Sequence, residues 1–129
     1  MRLAVGLAIV TSVLLSGCAR GPLQVGGIQV GKGLNDDRSI STPATLFKPR
    51  DTVYVSVLTS DTGKGTLTVK WIYNGRVVAE PSKPVSYQGA AYTEFHMQSA
   101  GGFPVGDYRV EVLVDGQPAG SRTFKVGEE

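Results

Sequence analysis

The sequence predicts an all-β chain folded as a single antiparallel β-sandwich of seven to eight strands, preceded by a signal peptide. Three observations point there. Apolar residues recur with period two along most of the chain after residue 27, the pattern of strands buried on one face. Asn74-Gly75 and Asp115-Gly116 are hairpin turn pairs set between such runs. No stretch after the signal has helical periodicity, and alternation without intervening helices argues for packed antiparallel sheets.

The N-terminus is read first, because it sets the compartment. Arg2 supplies a positive start, residues 3–14 form an apolar run broken only by Gly6, Thr11 and Ser12, and Leu15-Ser16-Gly17-Cys18 follows. This order is that of a secretory signal ending in small residues. The run is too short to cross a hydrocarbon core as a helix, which takes roughly 20 apolar residues. Leu15-Ser16-Gly17-Cys18 resembles the lipobox of bacterial lipoproteins. The resemblance implies that residues 1–17 are removed, that the Cys18 thiol carries diacylglycerol, and that the new amine is acylated, with palmitate-like chains holding the protein on a membrane. One acyl chain binds only marginally, so two or three are needed for a stable anchor. In the same family Asp after the cysteine favours inner-membrane retention. Ala19 stands there instead, so the resemblance favours the outer membrane, with the domain facing the periplasm or the cell surface.

Removing residues 1–17, which hold one basic residue (Arg2), leaves 112 residues with 12 Lys and Arg against 11 Asp and Glu, a formal +1. Mixed, near-neutral charge gives no electrostatic case for nucleic acid. Cys18 is the only cysteine, so no disulfide forms within the chain. The expected organisation is a signal peptide over residues 1–17, a lipidated N-terminus and flexible tether over 18–27, and one domain over 28–129. Nine residues of tether reach at most about 30 Å, which keeps the domain and its partners near the membrane.

Along the domain, Ile28, Val30, Lys32 and Leu34 alternate with Gln29, Gly31 and Gly33 until the turn formers Asn35-Asp36-Asp37. Pro43 and Pro49 remove ladder donors and make residues 39–49 a loop or a short edge segment ending at Phe47. Val53, Val55 and Val57 face one way, while Tyr54, Ser56 and Leu58 face the other. Residues 60–65 read as a loop, after which Leu67, Val69, Trp71 and Tyr73 alternate up to the Asn74-Gly75 turn. Residues 76–80 pair back, residues 85–87 and 92–98 supply two more strands, and Tyr108, Val110, Val112 and Val114 form the clearest strand before Asp115-Gly116. Phe124 and Val126 finish the last. Trp71 is expected between the sheets against Phe95, Tyr108, Val110 and Phe124, and Tyr108, entering after Pro104-Val105-Gly106-Asp107, fits a tyrosine corner.

The runs Phe47-x-x-x-Asp51-x-Val53-Tyr54-Val55-Ser56-Val57, Thr66-Leu67-x-Val69-x-Trp71, Thr93-Glu94-Phe95-His96 and Phe103-Pro104-x-Gly106-x-Tyr108-x-Val110-x-Val112 resemble immunoglobulin-like modules of extracytoplasmic bacterial proteins, many of them lipoproteins. The resemblance spans most of the mature chain and implies a fold and a compartment. It carries over no catalytic residue, because the matching positions are structural.

Chemistry-bearing residues are few. His96 is the only histidine, and alternation with Phe95 and Met97 turns it outward beside Glu94. A general base needs a nucleophile and an orienting carboxylate nearby, and no Gly-x-Ser-x-Gly motif supplies one. The pair reads as a solvent-facing cross-strand neighbourhood. With no second histidine or spare cysteine, no zinc-type metal site and no cofactor are expected. Asn35-Asp36-Asp37, with Asp61, Asp107 or Asp115, supplies oxygens for calcium, but turn chemistry accounts for them.

The outward aromatics favour binding: Tyr54 and Leu58 on one strand, Ile72 beside the Asn74 tip, and Tyr87 and Tyr92 flanking Gly89. Two alternatives stay open for them, an exposed surface or cover by a neighbouring loop. The expected function is a non-enzymatic, membrane-anchored lipoprotein that binds an envelope or extracellular protein. Inhibition of a secreted hydrolase or protease, or envelope remodelling as an enzyme, are the rival readings.

Overall fold

A computed structural model describes residues 23–128; the expected signal peptide and the expected lipidation site Cys18 lie outside them. Nine strands follow in order: β1 (Val25–Gly31), β2 (Leu46–Phe47), β3 (Val53–Thr59), β4 (Gly63–Tyr73), β5 (Arg76–Ala79), β6 (Ser82–Tyr87), β7 (Ala91–Met97), β8 (Gly106–Val114) and β9 (Gln117–Val126). They form two sheets, β1-β3-β7 and β2-β9-β8-β4-β5, with β6 also paired to β4.

The inward positions read from the alternation are the core. Val53, Val55 and Val57 from one sheet, with Leu67, Val69, Val110 and Val112 from the other, are 0 % exposed. β-Branched side chains suit this pleated, close-packed surface. Trp71 and Phe124 meet edge to face at 6.3 Å, and Tyr108 stacks on Phe124 at 5.0 Å. The Tyr108 hydroxyl donates to the Pro104 carbonyl at 2.7 Å, the tyrosine corner the sequence predicts.

Both hairpin pairs take the backbone their residues permit. Asn74 and Gly75 have φ of 53° and 77°, and Asp115 and Gly116 have 49° and 83°, the two consecutive positive values of a type I′ turn.

The boundaries differ from the sequence reading in four places. β1 begins at Val25 and Leu23 is buried, so residues 23–27 belong to the folded domain and not to the tether. Their glycines hid the pattern: with no side chain at Gly26 or Gly27, alternation cannot be seen. β1 also stops at Gly31, and Leu34 makes only an isolated bridge to Ile40. β4 starts at Gly63 inside the expected loop, paired to β6 by Gly63 against Tyr87. β2 pairs with β9 in parallel, the one parallel contact in an otherwise antiparallel sandwich. Among the described residues, this two-residue strand brings the strand number to nine.

The two long sides of the sandwich close differently. On the β1 side, Ile28 lies against Gly120 of β9, where a Cβ would stand 2.8 Å from the Ile28 Cδ1. Gly120 has φ of +145°, a backbone that favours glycine, and a Cβ there would also make the Ile28 terminal methyl shift. On the other side, residues 76–87 run along one edge of β4 and break at Glu80-Pro81. Where β6 runs, Tyr87 reaches Thr93 of β7 at 2.7 Å and Lys83 reaches the Glu94 carbonyl at 2.5 Å. Where β5 runs, nothing equivalent closes the gap.

Candidate functional site

The five side chains singled out for binding do not form one surface. Tyr54 and Tyr92 share the outer face of the three-stranded sheet: Tyr54 is opposite His96, with ring centroids 5.6 Å apart, and Tyr92 is opposite Leu58. Between them that face is covered, because Ser56 is 1 % exposed and its hydroxyl donates to the Arg38 carbonyl at 2.7 Å. Ile72 and Asn74 lie on the other sheet, Ile72 buried and opposite Val77 and Arg109, Asn74 exposed at the hairpin tip. Tyr87 is turned inward and its hydroxyl is bonded to Thr93. Of the two alternatives the sequence left open for Tyr87, an exposed surface or cover by a neighbour, the structure takes the second: the side chain joins the sheets, because β6 lies at an edge where its inward residues meet β7.

His96 keeps the position its alternation gives it. Its Nδ1 donates to Glu94 Oε2 at 3.0 Å, and Lys83 Nζ lies 3.4 Å from Glu94 Oε1 and 5.0 Å above the Phe95 ring. Burial presses the Glu94 carboxyl upward, but the hydrogen bond from His96 and the Lys83 ammonium outweigh it and hold the carboxyl below the usual carboxylate range. The hydroxyl opposite Glu94 by register, that of Ser56, is committed to the Arg38 carbonyl. The group is therefore arranged as an edge closure: an inward-reaching lysine and a paired carboxylate seal β6 against β7.

Most of the carboxylates considered for calcium are engaged locally, Asp61 by the Thr62 backbone N–H and Asp107 by Lys125. Asp37 accepts from the Ser39 hydroxyl and backbone, which lowers its pKa, and Asp115 accepts from the Thr66 backbone at 2.9 Å. Among the described residues, no three acidic, histidine or cysteine side chains come together as a metal site.

What the structure does assemble is a cavity of about 430 Å³ at the open side, beyond the end of β6. One sheet gives it Trp71, Tyr73 and Val78; the other gives Met97, and the β7–β8 loop adds Ala100 and Phe103. Tyr108 and Phe124 also line it. Its opening follows from a bulge: Ile72 pairs with Val77 and Trp71 with Ala79, leaving Val78 as the extra residue. An extra residue bends an edge strand and re-aims its side chain, and Val78 stands 49 % exposed.

The polar atoms of the wall are unequally provided for. Tyr73 donates to the Val105 carbonyl at 2.9 Å and Tyr108 to that of Pro104. Gly106 permits this packing, since a Cβ there would come within 3.0 Å of the Tyr73 ring. Burial, with the Tyr73 phenol adding to it, pushes the Tyr108 hydroxyl up to about 12. Trp71 Nε1 is buried and has no hydrogen-bond partner.

The sequence treated Trp71 and Tyr108 as core and overlooked Val78, Met97, Ala100 and Phe103. A signal was present: adjacent Val77 and Val78 in a short hairpin strand cannot both face inward, and Phe103-Pro104-Val105 is an apolar stretch in a loop.

This architecture is an immunoglobulin-like β-sandwich. An immunoglobulin-like protein of Pseudomonas aeruginosa, known from its crystal structure, is similar in fold at a TM-score of 0.58 and 14 % identity, over 85 % of this chain and 100 % of that one. An alkylpurine DNA glycosylase of Pseudomonas fluorescens, solved with DNA containing an abasic-site analogue, aligns at a TM-score of only 0.44 and 15 % identity, over 84 % of this chain and 31 % of that one. No protein-family model and no curated protein sequence matches the chain.

Proposed function

We propose that this protein is a lipid-anchored, non-catalytic module of the bacterial cell envelope that binds another envelope or extracellular protein. The anchor is Cys18, read from the lipobox that ends the apolar N-terminal run. The observation that carries the binding role is the unsealed side of the sandwich. There an apolar cavity opens, with Val78, 49 % exposed, on its wall. An isolated exposed valine needs no explanation, but one that lines an open apolar cavity with Met97, Ala100 and Phe103 belongs to the kind of concave apolar surface that interaction sites use.

The test is crosslinking of the native protein in intact cells, with a Cys18→Ser form as control. The reading expects one reproducible protein partner that is lost when the anchor is lost. Capture of no protein, or of the same set by the unanchored control, refutes it. Fractionation tests the anchor separately: the Cys18→Ser form is expected to leave the membrane fraction, and membrane partitioning equal to wild type overturns the lipid assignment.

A further inference from the structure

We propose that the sandwich stands end-on to its own membrane: the end that carries Leu23, the β3–β4 and β6–β7 loops and the Asp115-Gly116 turn rests on the lipid headgroups, and the opposite end, where the cavity opens, is turned away from the bilayer. The proposal rests on the Cys18 anchor of the reading above and adds which surface faces lipid.

Leu23 is 4 % exposed and belongs to the core, and the next carbonyl, that of Gln24, accepts from the Ser60 backbone N–H at 3.1 Å. The chain is therefore fixed to the domain from Leu23 onward, beside the β3–β4 loop. Val25 pairs with Thr59 and Thr59 with Ala91, while residues 60–62 and 88–90 connect these strands to Gly63 and Tyr87, which pair with each other. All of these lie at one end of the sandwich. The Asp115-Gly116 turn joins them, since the Asp115 carboxylate accepts from the Thr66 backbone N–H.

Two lengths then decide which end can meet the bilayer. Cys18 stands five residues before Leu23, a span of at most about 17 Å when fully extended. β4 runs the length of the sandwich over the 11 residues Gly63–Tyr73, about 33 Å at the rise of a strand. Tyr73, Met97 and Phe103 of the cavity wall, with the Asn74-Gly75 hairpin, mark its far end. The reach of the connecting segment is half the length of the domain. With Cys18 held in the membrane, the far end cannot be the one that stands on it.

A domain lying on its side would bring both ends to the lipid, and the exposed side chains argue against that pose. Among the described residues, the large apolar side chains left exposed are Leu46, Val77, Val78 and Val105. All four belong to the far end: Leu46 is opposite Lys125, Val77 opposite Ile72, Val78 sits at the adjoining bulge, and Val105 precedes Gly106, which is opposite Val126. Leu46 and the paired valines stand on opposite edges of the larger sheet, and the face between them carries Lys70, Arg109 and Glu111. No long side therefore offers lipid a continuous apolar surface of the kind that inserts. At the near end Ser60, Asp61, Thr62, Gln88 and Gln117 are exposed and polar, which suits contact with headgroups and not insertion.

Gly89 and Gly101 mark the two ends, and a Cβ at either meets nothing within 4 Å. Gly89→Cys and Gly101→Cys forms of the lipidated protein each take one nitroxide, because Cys18, the chain's own cysteine, is consumed by its lipid. Both are placed in phosphatidylcholine–phosphatidylglycerol nanodiscs doped with a gadolinium-chelate lipid. Relaxation enhancement of the nitroxide is expected to be several-fold stronger at position 89 than at position 101; Gln88→Cys and Arg76→Cys give the same comparison should a glycine variant fail to fold. A Gly/Ser insert of about twenty residues between Pro22 and Leu23, which raises the mean reach of that segment to about 25–30 Å, is expected to shrink the difference. Equal enhancement at the two positions, stronger enhancement at position 101, or a difference that the insert leaves unchanged each overturns the proposal. Intact mass separates this result from the reading beneath it: a chain without acyl mass that does not associate with the discs refutes the Cys18 anchor, whereas an acylated, disc-bound chain that shows no difference refutes the orientation alone.

Discussion

Replacing Tyr108 by Phe tests the account of the tyrosine corner, because two effects of opposite sign follow from one hydroxyl. At pH 8 the hydroxyl is neutral and donates to Pro104 at 2.7 Å. Its removal costs about 1 kcal/mol, the net value of an ordinary hydrogen bond, since the exposed Pro104 can be rehydrated. At high pH the hydroxyl becomes a liability. Its pKa is raised from 10.0 to about 12 in the fold, so the stability tied to its neutral form is complete below the unfolded value and is lost as pH rises through the folded one. Linkage over that interval gives a loss of about 1.4 kcal/mol by pH 11, relative to a chain without the phenol. Tyr108 is 5 % exposed, so solvent screening takes little from this figure. Urea unfolding followed by Trp71 fluorescence, for wild type and Tyr108→Phe at pH 8 and pH 11, is the assay. The variant is expected to be about 1 kcal/mol less stable at pH 8 and equal to wild type or slightly better at pH 11. A gap unchanged between the two pH values would refute the claim that burial confines this phenol to its neutral form.

Other perturbations address the remaining structural claims. Trp71→Phe removes the unpaired indole donor together with part of a ring, so its cost should stay near 1 kcal/mol, against about 3–5 for Trp71→Ala; equal losses in thermal unfolding would contradict the orphan-donor reading. Gly120→Ala should cost about 1–3 kcal/mol through its positive φ and its contact with Ile28 Cδ1, and less in an Ile28→Val background, which lacks that atom. A strictly additive double-mutant cycle would remove Ile28 from the explanation. Glu94→Gln should cost about 0.5–1 kcal/mol at pH 7. Because the folded carboxyl titrates below its ordinary range, that difference should persist at mildly acidic pH and vanish only as pH falls through the depressed value. A gap that widens with acid would show that Glu94 does not close the β6–β7 edge as a carboxylate.

The legibility of the chain in its sequence follows from what alternation can encode. Where a strand has one face in the core, as in Val53–Thr59 or Gly106–Val114, period two identifies both the element and its inward residues. It fails at Gly26, Gly27, Gly63 and Gly65, where no side chain marks the face, and this hid the starts of β1 and β4. It is also ambiguous at a sheet edge. Tyr87 reads as outward by the same logic that places Tyr54 correctly, yet β6 sits where its neighbour is the other sheet.

By itself the sequence determined the class, the turns and most of the buried set, because hydrophobic period and the positive-φ demands of Asn74-Gly75 and Asp115-Gly116 are local properties. It also carried a run, Leu15-Ser16-Gly17-Cys18, that resembles a lipobox, and a near-neutral charge that makes a nucleic-acid partner a poor expectation. Only the tertiary structure decided which side of the sandwich is sealed. That depends on distant residues meeting, Ile28 on Gly120 and Lys83 on Glu94, and on a bulge at Val78 beside the open cavity. A cavity is a property of how two sheets fail to meet, and no one-dimensional pattern along either sheet records it.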